Sequence, residues 1–206
     1  MERKRIKALA SEISKKDTVL DVGCDHGYLC KYLKENGLCK EVYASDIKES
    51  ALNVARNNFK KNKLDIKTFV SDGFKDIPVT FDTAVIAGMG TSTILKILNH
   101  DKLPRKLVLS SNNEHYKLRC ELYNMGYKLV DEQAVYEKGH YYVIILYMKM
   151  EQKLSRNELK FGISNNDNYY EYLIEKNKEL IKKVPLKKRL VLYYDNLILK
   201  GLIRRK

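Results

Sequence analysis

Thr18-Val-Leu-Asp-Val-Gly-Cys-Asp-His-Gly-Tyr-Leu29 decides the architecture. A short apolar run, 18–22, passes through a glycine-bearing turn into a helical pattern over about 28–36, which Gly37 stops. Strand, turn and helix in that order make the first βα step of a parallel sheet. The turn lies at the carboxyl end of the strand and at a helix N-terminus, the place where such sheets receive nucleotide ligands.

Upstream, Ile6, Leu9 and Ile13 share one face of an amphipathic helix, with Arg3, Lys4 and Lys7 off it. Downstream, strand-like runs at 41–45, 66–70, 81–87 and 106–110 alternate with helical patterns at 50–61, 91–99 and 114–125. The alternation then ends. Runs at 127–136 and 140–150 are joined by Glu137-Lys138-Gly139 and read as a hairpin. Five βα units closed by a hairpin predict an α/β protein with the class I methyltransferase layout: a Rossmann-like, seven-stranded, mostly parallel sheet with a terminal antiparallel hairpin. A dehydrogenase-type sheet does not predict that ending.

The sequence divides into a Rossmann-like domain, 1–150, and a basic helical tail, 151–206. In the tail, 167–184 carries Tyr169, Tyr170, Leu173, Ile174, Leu180 and Ile181 at helical spacing. The segment 186–203 repeats the pattern with Leu190, Tyr193, Tyr194, Leu197, Ile198 and Leu202. Pro185 interrupts them, so a coiled-coil-like antiparallel helical hairpin is expected, with one long kinked helix as the alternative.

With 206 residues, the chain can bury one good core plus an appendage. Its net charge of +13 attracts polyanions. Abundant lysine, asparagine, isoleucine and tyrosine are also what AT-rich coding produces, so total charge alone does not name a nucleic-acid partner. Its distribution says more: residues 151–206 hold fourteen Lys/Arg against seven Asp/Glu, about half the excess. The apolar run 141–148 is too short to span a bilayer, and the charged opening residues contain no signal-peptide core. A cytoplasmic location without membrane association is therefore expected, with a monomer as the free form. The four cysteines form no Cys-x-x-Cys pair and the four histidines are scattered, so neither a metal site nor disulfides are expected.

The turn Gly23-Cys24-Asp25 is polar and acidic. It suits the amino-acid end of S-adenosylmethionine, whose ammonium Asp25 would attract, whereas a dinucleotide pyrophosphate would be repelled. Asp21 and Tyr28 flank the turn and are grouped with it as cofactor residues. Asp46 ends the second strand 25 residues after Asp21, where a carboxylate can accept from both ribose hydroxyls; Ile47 follows it into the same site. Asp72-Gly73, after the third strand, offers an acid for the exocyclic amine of adenine, or is a simple Asp-Gly turn. Ile86-Ala-Gly-Met-Gly90 follows the fourth strand. Its glycines make room for a flat base, Ala87 and Gly88 would expose carbonyls near the sulfonium, and Met89 is a further reactive-centre candidate. After the fifth strand, Ser110-Ser-Asn-Asn113 places the Asn112 amide toward the acceptor.

At these residues the chain resembles the bacterial tRNA (adenine-22-N1) methyltransferases, the TrmK family. Asp21-Val-Gly-Cys-Asp-His-Gly-Tyr-Leu29 is similar to the family's Asp-Ile-Gly-Ser-Asp-His-Ala-Tyr-Leu, the Asp25–His26 pair being the specific part. Ile86-Ala-Gly-Met-Gly90 is similar to Ile-Ala-Gly-Met-Gly-Gly, with Thr91 replacing the last glycine. Leu107-Val-Leu-Ser-Ser-Asn112 departs from the family's Leu-Ile-Leu-Gln-Pro-Asn, and only the asparagine persists. Leu154-Ser-Arg-Asn-Glu-Leu-Lys-Phe-Gly162 resembles the lead into the family's helical C-terminal region.

The resemblance implies methyl transfer from S-adenosylmethionine to N1 of adenosine 22 in the D-arm region of tRNA. That nitrogen has a free lone pair, so alignment rather than a strong base is required, and the product is a cation that acidic groups or carbonyls would stabilise. Asp25, His26, Gly88, Met89 and Asn112 are the candidates at the reacting centre. His26 would orient the base, or else only pack at the helix start. Lys182, Lys183, Lys187, Lys188 and Arg189, with Arg3, Lys4 and Arg5, are expected on the tRNA backbone. A methyltransferase for another RNA, a small molecule or a protein, and an RNA-binding protein without activity, remain as alternatives.

Overall fold

The structure, a computed structural model, describes residues 3–150 and 153–203; Met1, Glu2, Glu151, Gln152 and Arg204–Lys206 lie outside the described residues. The chain runs α1 (Lys4–Ser11), β1 (Thr18–Val22), α2 (Tyr28–Glu35), β2 (Glu41–Asp46), α3 (Glu49–Lys61), β3 (Thr68–Val70), β4 (Thr83–Met89), α4 (Thr91–Leu98), β5 (Lys106–Ser111), α5 (His115–Asn124), β6 (Tyr127–Glu137) and β7 (His140–Lys149). The tail adds α6 (Arg156–Phe161), α7 (Asp167–Ile181) and α8 (Leu186–Ile203).

The strands form one sheet of order β3-β2-β1-β4-β5-β7-β6. The pairs β1/β2, β1/β4, β2/β3 and β4/β5 are parallel, while β7 runs antiparallel to both β5 and β6. The expected hairpin is present, turning tightly through Lys138 and Gly139, both at positive φ, as a two-residue turn matched to strand twist requires. Its second strand inserts between β5 and β6, so only β7 opposes the sheet and β6 forms the edge. Register pairs Leu109 with Ile145, which carries the turn past the carboxyl end of β5.

Successive residues feed opposite cores, as in a sheet covered on both faces. Val19, Val85 and Val108 join α1, α2 and α3 on one side. Leu20, Ile86, Leu107 and Leu109 join α4 and α5 on the other. The third strand is shorter than expected, beginning at Thr68.

The tail's base belongs to this second core: Phe161, Tyr169, Tyr170, Ile174 and Leu199 pack in the same cluster as Tyr127, Ile145 and Tyr147. Arg119, 2% exposed, fixes the join. Its guanidinium makes two 2.8 Å bonds to the Glu132 carboxylate and donates to the carbonyls of Leu159 and Lys160 at the end of α6. α6 opens on a capping box, Ser155 with Glu158.

α7 and α8 are separate helices, as Pro185 implied, but α8 does not bury the face its pattern suggested. Leu190, Tyr193, Tyr194 and Leu197 are exposed, and Asp195, Asn196 and Leu199 are buried. Polar bonds join the apolar contacts at the seam: Asp195 accepts from Lys160 at 2.6 Å, and Asn177 donates to Asn196 at 2.8 Å.

Candidate functional site

A cavity of about 1030 Å³ opens at the carboxyl ends of β1, β2, β3 and β4. All the residues expected around a cofactor line it: Asp21, Gly23, Cys24, Asp25, Tyr28, Asp46, Ile47, Asp72, Gly73, Ala87 and Gly88. His26 and Met89 line it as well.

The turn after β1 closes on itself. Gly23 and Cys24 both donate their N–H groups to the Ser45 carbonyl, at 2.8 and 2.9 Å. The Asp25 N–H donates to Asp46 Oδ2 at 3.2 Å, and that of Gly27 to the Cys24 carbonyl at 2.8 Å. A pyrophosphate site needs a nest of free amides; these four are committed. The space they border is instead walled by the carboxylates of Asp21, Asp25, Asp46 and Asp72. That set of acceptors fits a ligand with an ammonium, ribose hydroxyls and an adenine amine to donate, which is the chemistry of S-adenosylmethionine.

Each acid is held by local structure. Asp46 accepts from Asp25 through Oδ2 and from the Lys48 N–H through Oδ1 at 2.9 Å, so β2 and the β1 turn are fixed together. Asp25 itself sits at φ 49°, a left-handed conformation that aspartate tolerates better than most residues. Asp21 is buried, and Cys30 Sγ donates to its Oδ2 at 3.3 Å. Burial pushes its carboxyl up to about 6, against the opposing pull of Cys30 and the Arg5 guanidinium. Ser71 orders the loop around Asp72 by bonding the carbonyls of Gly73 and Lys75.

His26 is not packed away at the helix start. It lines the cavity, with Nδ1 2.6 Å from Asp25 Oδ2 and its ring parallel to Tyr28, centroids 5.4 Å apart. Gly88 is the extra residue of a β-bulge: β4 pairs with β5 at Ala87↔Ser110 and next at Met89↔Ser111. Its φ of +83° favours glycine. Gly23, at φ +72°, likewise takes a left-handed conformation that favours glycine.

Three expectations change. Asn112 does not line the cavity; its Nδ2 donates to the Gly88 carbonyl at 3.0 Å and its N–H to the Met89 carbonyl at 2.8 Å. Of the two carbonyls expected near the sulfonium, that of Gly88 thus accepts from Asn112. Arg3 and Arg5, expected on the tRNA backbone, line the cavity: Arg3 lies over the Tyr28 ring and Arg5 over Tyr142. Lys4 stays exposed. The five tail cations gather at the α7–α8 turn, away from the cavity lining, all exposed.

Sequence reasoning missed Thr93, Lys96 and Ile97 on one face of α4, and Glu137, Lys138 and Tyr142 from the hairpin. The helical spacing of the first three was a usable signal. The hairpin residues had none, because their presence depends on β7 inserting beside β5. Glu137 also accepts from the Arg5 N–H at 3.2 Å, an acid at the start of α1. Among the described residues, no three His, Cys, Asp or Glu side chains cluster as a metal site would need, and no helix is long and apolar enough to cross a membrane.

Comparison with known proteins agrees with this geometry. A family model described as "Methyltransferase domain" matches residues 2–145. A putative tRNA methyltransferase of Mycoplasma genitalium is 30% identical over 168 residues, covering 78% of this chain and 77% of the relative. The tRNA (adenine(22)-N(1))-methyltransferase of Bacillus subtilis is 31% identical over 150 residues, 69% of this chain and 63% of that protein. Among solved structures, M. capricolum TrmK in complex with S-adenosyl-homocysteine superposes with a TM-score of 0.85 at 28% identity, over 98% of both chains. A sheet whose last strand enters reversed, a ligand turn closed to phosphate and a match over most of the sequence agree: the chain belongs to the methyltransferase-domain family and, within it, to the TrmK tRNA methyltransferases.

Proposed function

We propose that this chain transfers a methyl group from S-adenosylmethionine to N1 of adenosine 22 in tRNA, acting in the cytoplasm as a monomer. The observation that carries the reading is the acid-walled cavity with its internally satisfied turn. S-adenosylmethionine supplies an electrophilic methyl group on a cationic sulfur. Asp46 and Ile47 would hold its ribose and adenine side, and Asp72 the adenine amine. Asp21 and Asp25 would face the ammonium, and Arg5, whose Nε is buried without a partner, the carboxylate.

The chain's own residues then align and shield. The base must leave its stack to reach the cavity. His26, stacked on Tyr28 whose ring also carries the Arg3 guanidinium, would offer it a flat ring. Asp25 holds His26 through Nδ1, which leaves Nε2 as the ring nitrogen able to meet the base. Positive charge that appears on adenine as the bond forms is stabilised by the same acidic wall, a gain realised mainly in the transition state. No proton need be removed, so no general base is assigned. Lys182, Lys183, Lys187, Lys188 and Arg189 would bind phosphates away from the cavity, with Lys4 at its approach.

The test is methyl transfer from labelled S-adenosylmethionine to a tRNA bearing adenosine 22 and to its guanosine-22 variant. Label confined to the first, mapped to N1, is expected. Equal labelling of both, or none with bound cofactor, refutes the assignment.

A further inference from the structure

We propose that the buried hydroxyls of Thr91 and Ser111 form a lock that positions the Gly88–Met89 bulge at the methyl-transfer site, making both of them positioning residues. The inference rests on the function proposed above. Its basis is how the bulge is held. At Gly88 the β4–β5 ladder is interrupted, so regular strand pairing cannot fix that residue. Asn112 does so instead, through its bonds to the Gly88 and Met89 carbonyls. Asn112 is exposed and just beyond the end of β5, and Glu114, two residues on, is a non-glycine at φ 46°. Such a segment keeps its place only if something anchors it.

The anchor lies behind it. Thr91, fully buried, has its Oγ1 2.8 Å from Ser111 Oγ and 2.6 Å from the Asn113 carbonyl. The Thr91 N–H donates to Asn113 Oδ1 at 2.9 Å, and Ser111 Oγ lies 2.8 Å from the same Asn113 carbonyl. Two hydroxyl protons serve the hydroxyl–hydroxyl contact and the carbonyl. The chain is complete whichever way it points. In a dry site such a chain is rigid when whole and costly when broken. Neither Thr91, Ser111 nor Asn113 lines the cavity, so none touches cofactor or base. Thr91 and Ser111 are also two of the positions at which this sequence departs from the motifs it otherwise resembles, where a glycine and a proline stand. The two departures meet each other in space, and each supplies what the other needs.

The experiment measures single-turnover transfer to tRNA, calorimetric affinity for S-adenosyl-homocysteine, and amide hydrogen exchange. Thr91→Val keeps the shape and removes the hydroxyl. Its transfer rate is expected to fall by about tenfold or more, the size of effect a sub-ångström misplacement produces. Affinity for S-adenosyl-homocysteine should stay at the wild-type value, while the Asn112 and Asn113 amides exchange faster. Thr91→Ser, which restores the hydroxyl, should recover the rate. Ser111→Ala should reproduce the defect and supplies the measurement if Thr91→Val does not fold. A valine variant with wild-type transfer overturns the proposal, and so does one whose Asn112 amide exchanges no faster. An unmodified chain that transfers nothing to tRNA would sink the methylation reading instead, and exchange would still decide the lock.

Discussion

Replacing Asp21 by asparagine should stabilise the cofactor-free protein and weaken its binding of S-adenosylmethionine. The carboxyl is 6% exposed and is pushed by burial from 3.8 to about 6. A rise of that size corresponds to roughly 3 kcal/mol, at about 1.36 kcal/mol for each tenfold change in proton affinity. The sign follows from proton counting. Between about pH 4 and 6 the folded state holds a proton that the unfolded chain has released, so the contribution of this group to stability falls as pH rises. Above about pH 6 both states are ionised and the whole desolvation cost is present. Below about pH 4 both are protonated and it vanishes. An asparagine side chain in that place would keep the acceptor that Cys30 Sγ uses and carry no charge. The gain of Asp21→Asn over wild type should therefore be near zero at about pH 4 and plateau at roughly 3 kcal/mol above about pH 6. Urea unfolding at several pH values reads this directly. Calorimetry with S-adenosyl-homocysteine, which keeps the ammonium, reads the opposite face: wild-type affinity should rise through about pH 6 and the variant's should not. A variant less stable than wild type at neutral pH, or a gain independent of pH, would refute the reasoning.

Asp46→Ala removes the acceptor for the Asp25 and Lys48 amides and for the ribose. Loss of two charge-assisted bonds should lower S-adenosyl-homocysteine affinity by about 100-fold, measured by calorimetry. Arg119→Met leaves the Glu132 carboxylate buried and unpaired and should cost about 3–5 kcal/mol in urea unfolding. Adding Glu132→Leu to it should recover most of that loss. Neutralising Lys182, Lys183, Lys187, Lys188 and Arg189 together should weaken tRNA binding at every sequence. The plot of log affinity against log salt should flatten by about 0.9 for each phosphate no longer neutralised, with affinity for S-adenosyl-homocysteine unchanged.

The strand–turn–helix at 18–29 was legible because every signal in it agrees: an apolar run, a glycine in the turn, which the structure finds at positive φ, and acids spaced one strand apart. Asp46 could be placed from spacing alone because β2 pairs with β1 in parallel register, Val22 beside Ser45. What stayed hidden depends on packing between segments distant in sequence. Arg5 looked like one more cation in a basic opening; only the packing of α1 against β6 and the hairpin turns it toward Tyr142. Asn112 was expected toward the acceptor, but its amide goes to the Gly88 carbonyl, which is placed there by the bulge in β4. α8 misled for another reason. Its leucines and tyrosines follow helical spacing, but Lys160 and Asn177 offer polar partners to Asp195 and Asn196, and burying those with their bonds made turns the helix the other way.

The placement of charge explains how one basic protein can serve two opposite demands. A sulfonium donor and a methylated adenine are cations, and they need carboxylates near them; a tRNA backbone is a polyanion and needs the reverse. The five tail cations are kept apart from Asp21, Asp25, Asp46 and Asp72, although four other cations share the cavity with those acids. The exposed cluster at 182–189 sits on the far end of α7 and α8, and only Arg3, Arg5, Lys96 and Lys138 come to the cavity itself among the described residues. Separation requires rigidity, since a loosely hung tail would bind phosphates without bringing any particular nucleotide to the acids. The buried Arg119–Glu132 pair, bonded also to the end of α6, gives the tail a fixed attachment to the sheet. Weakening that pair should thus impair transfer to tRNA while cofactor affinity holds. The same variant, Arg119→Met with Glu132→Leu, tests this once stability is restored: transfer at wild-type rate and KM for tRNA would show that the tail's attachment does not govern which nucleotide arrives.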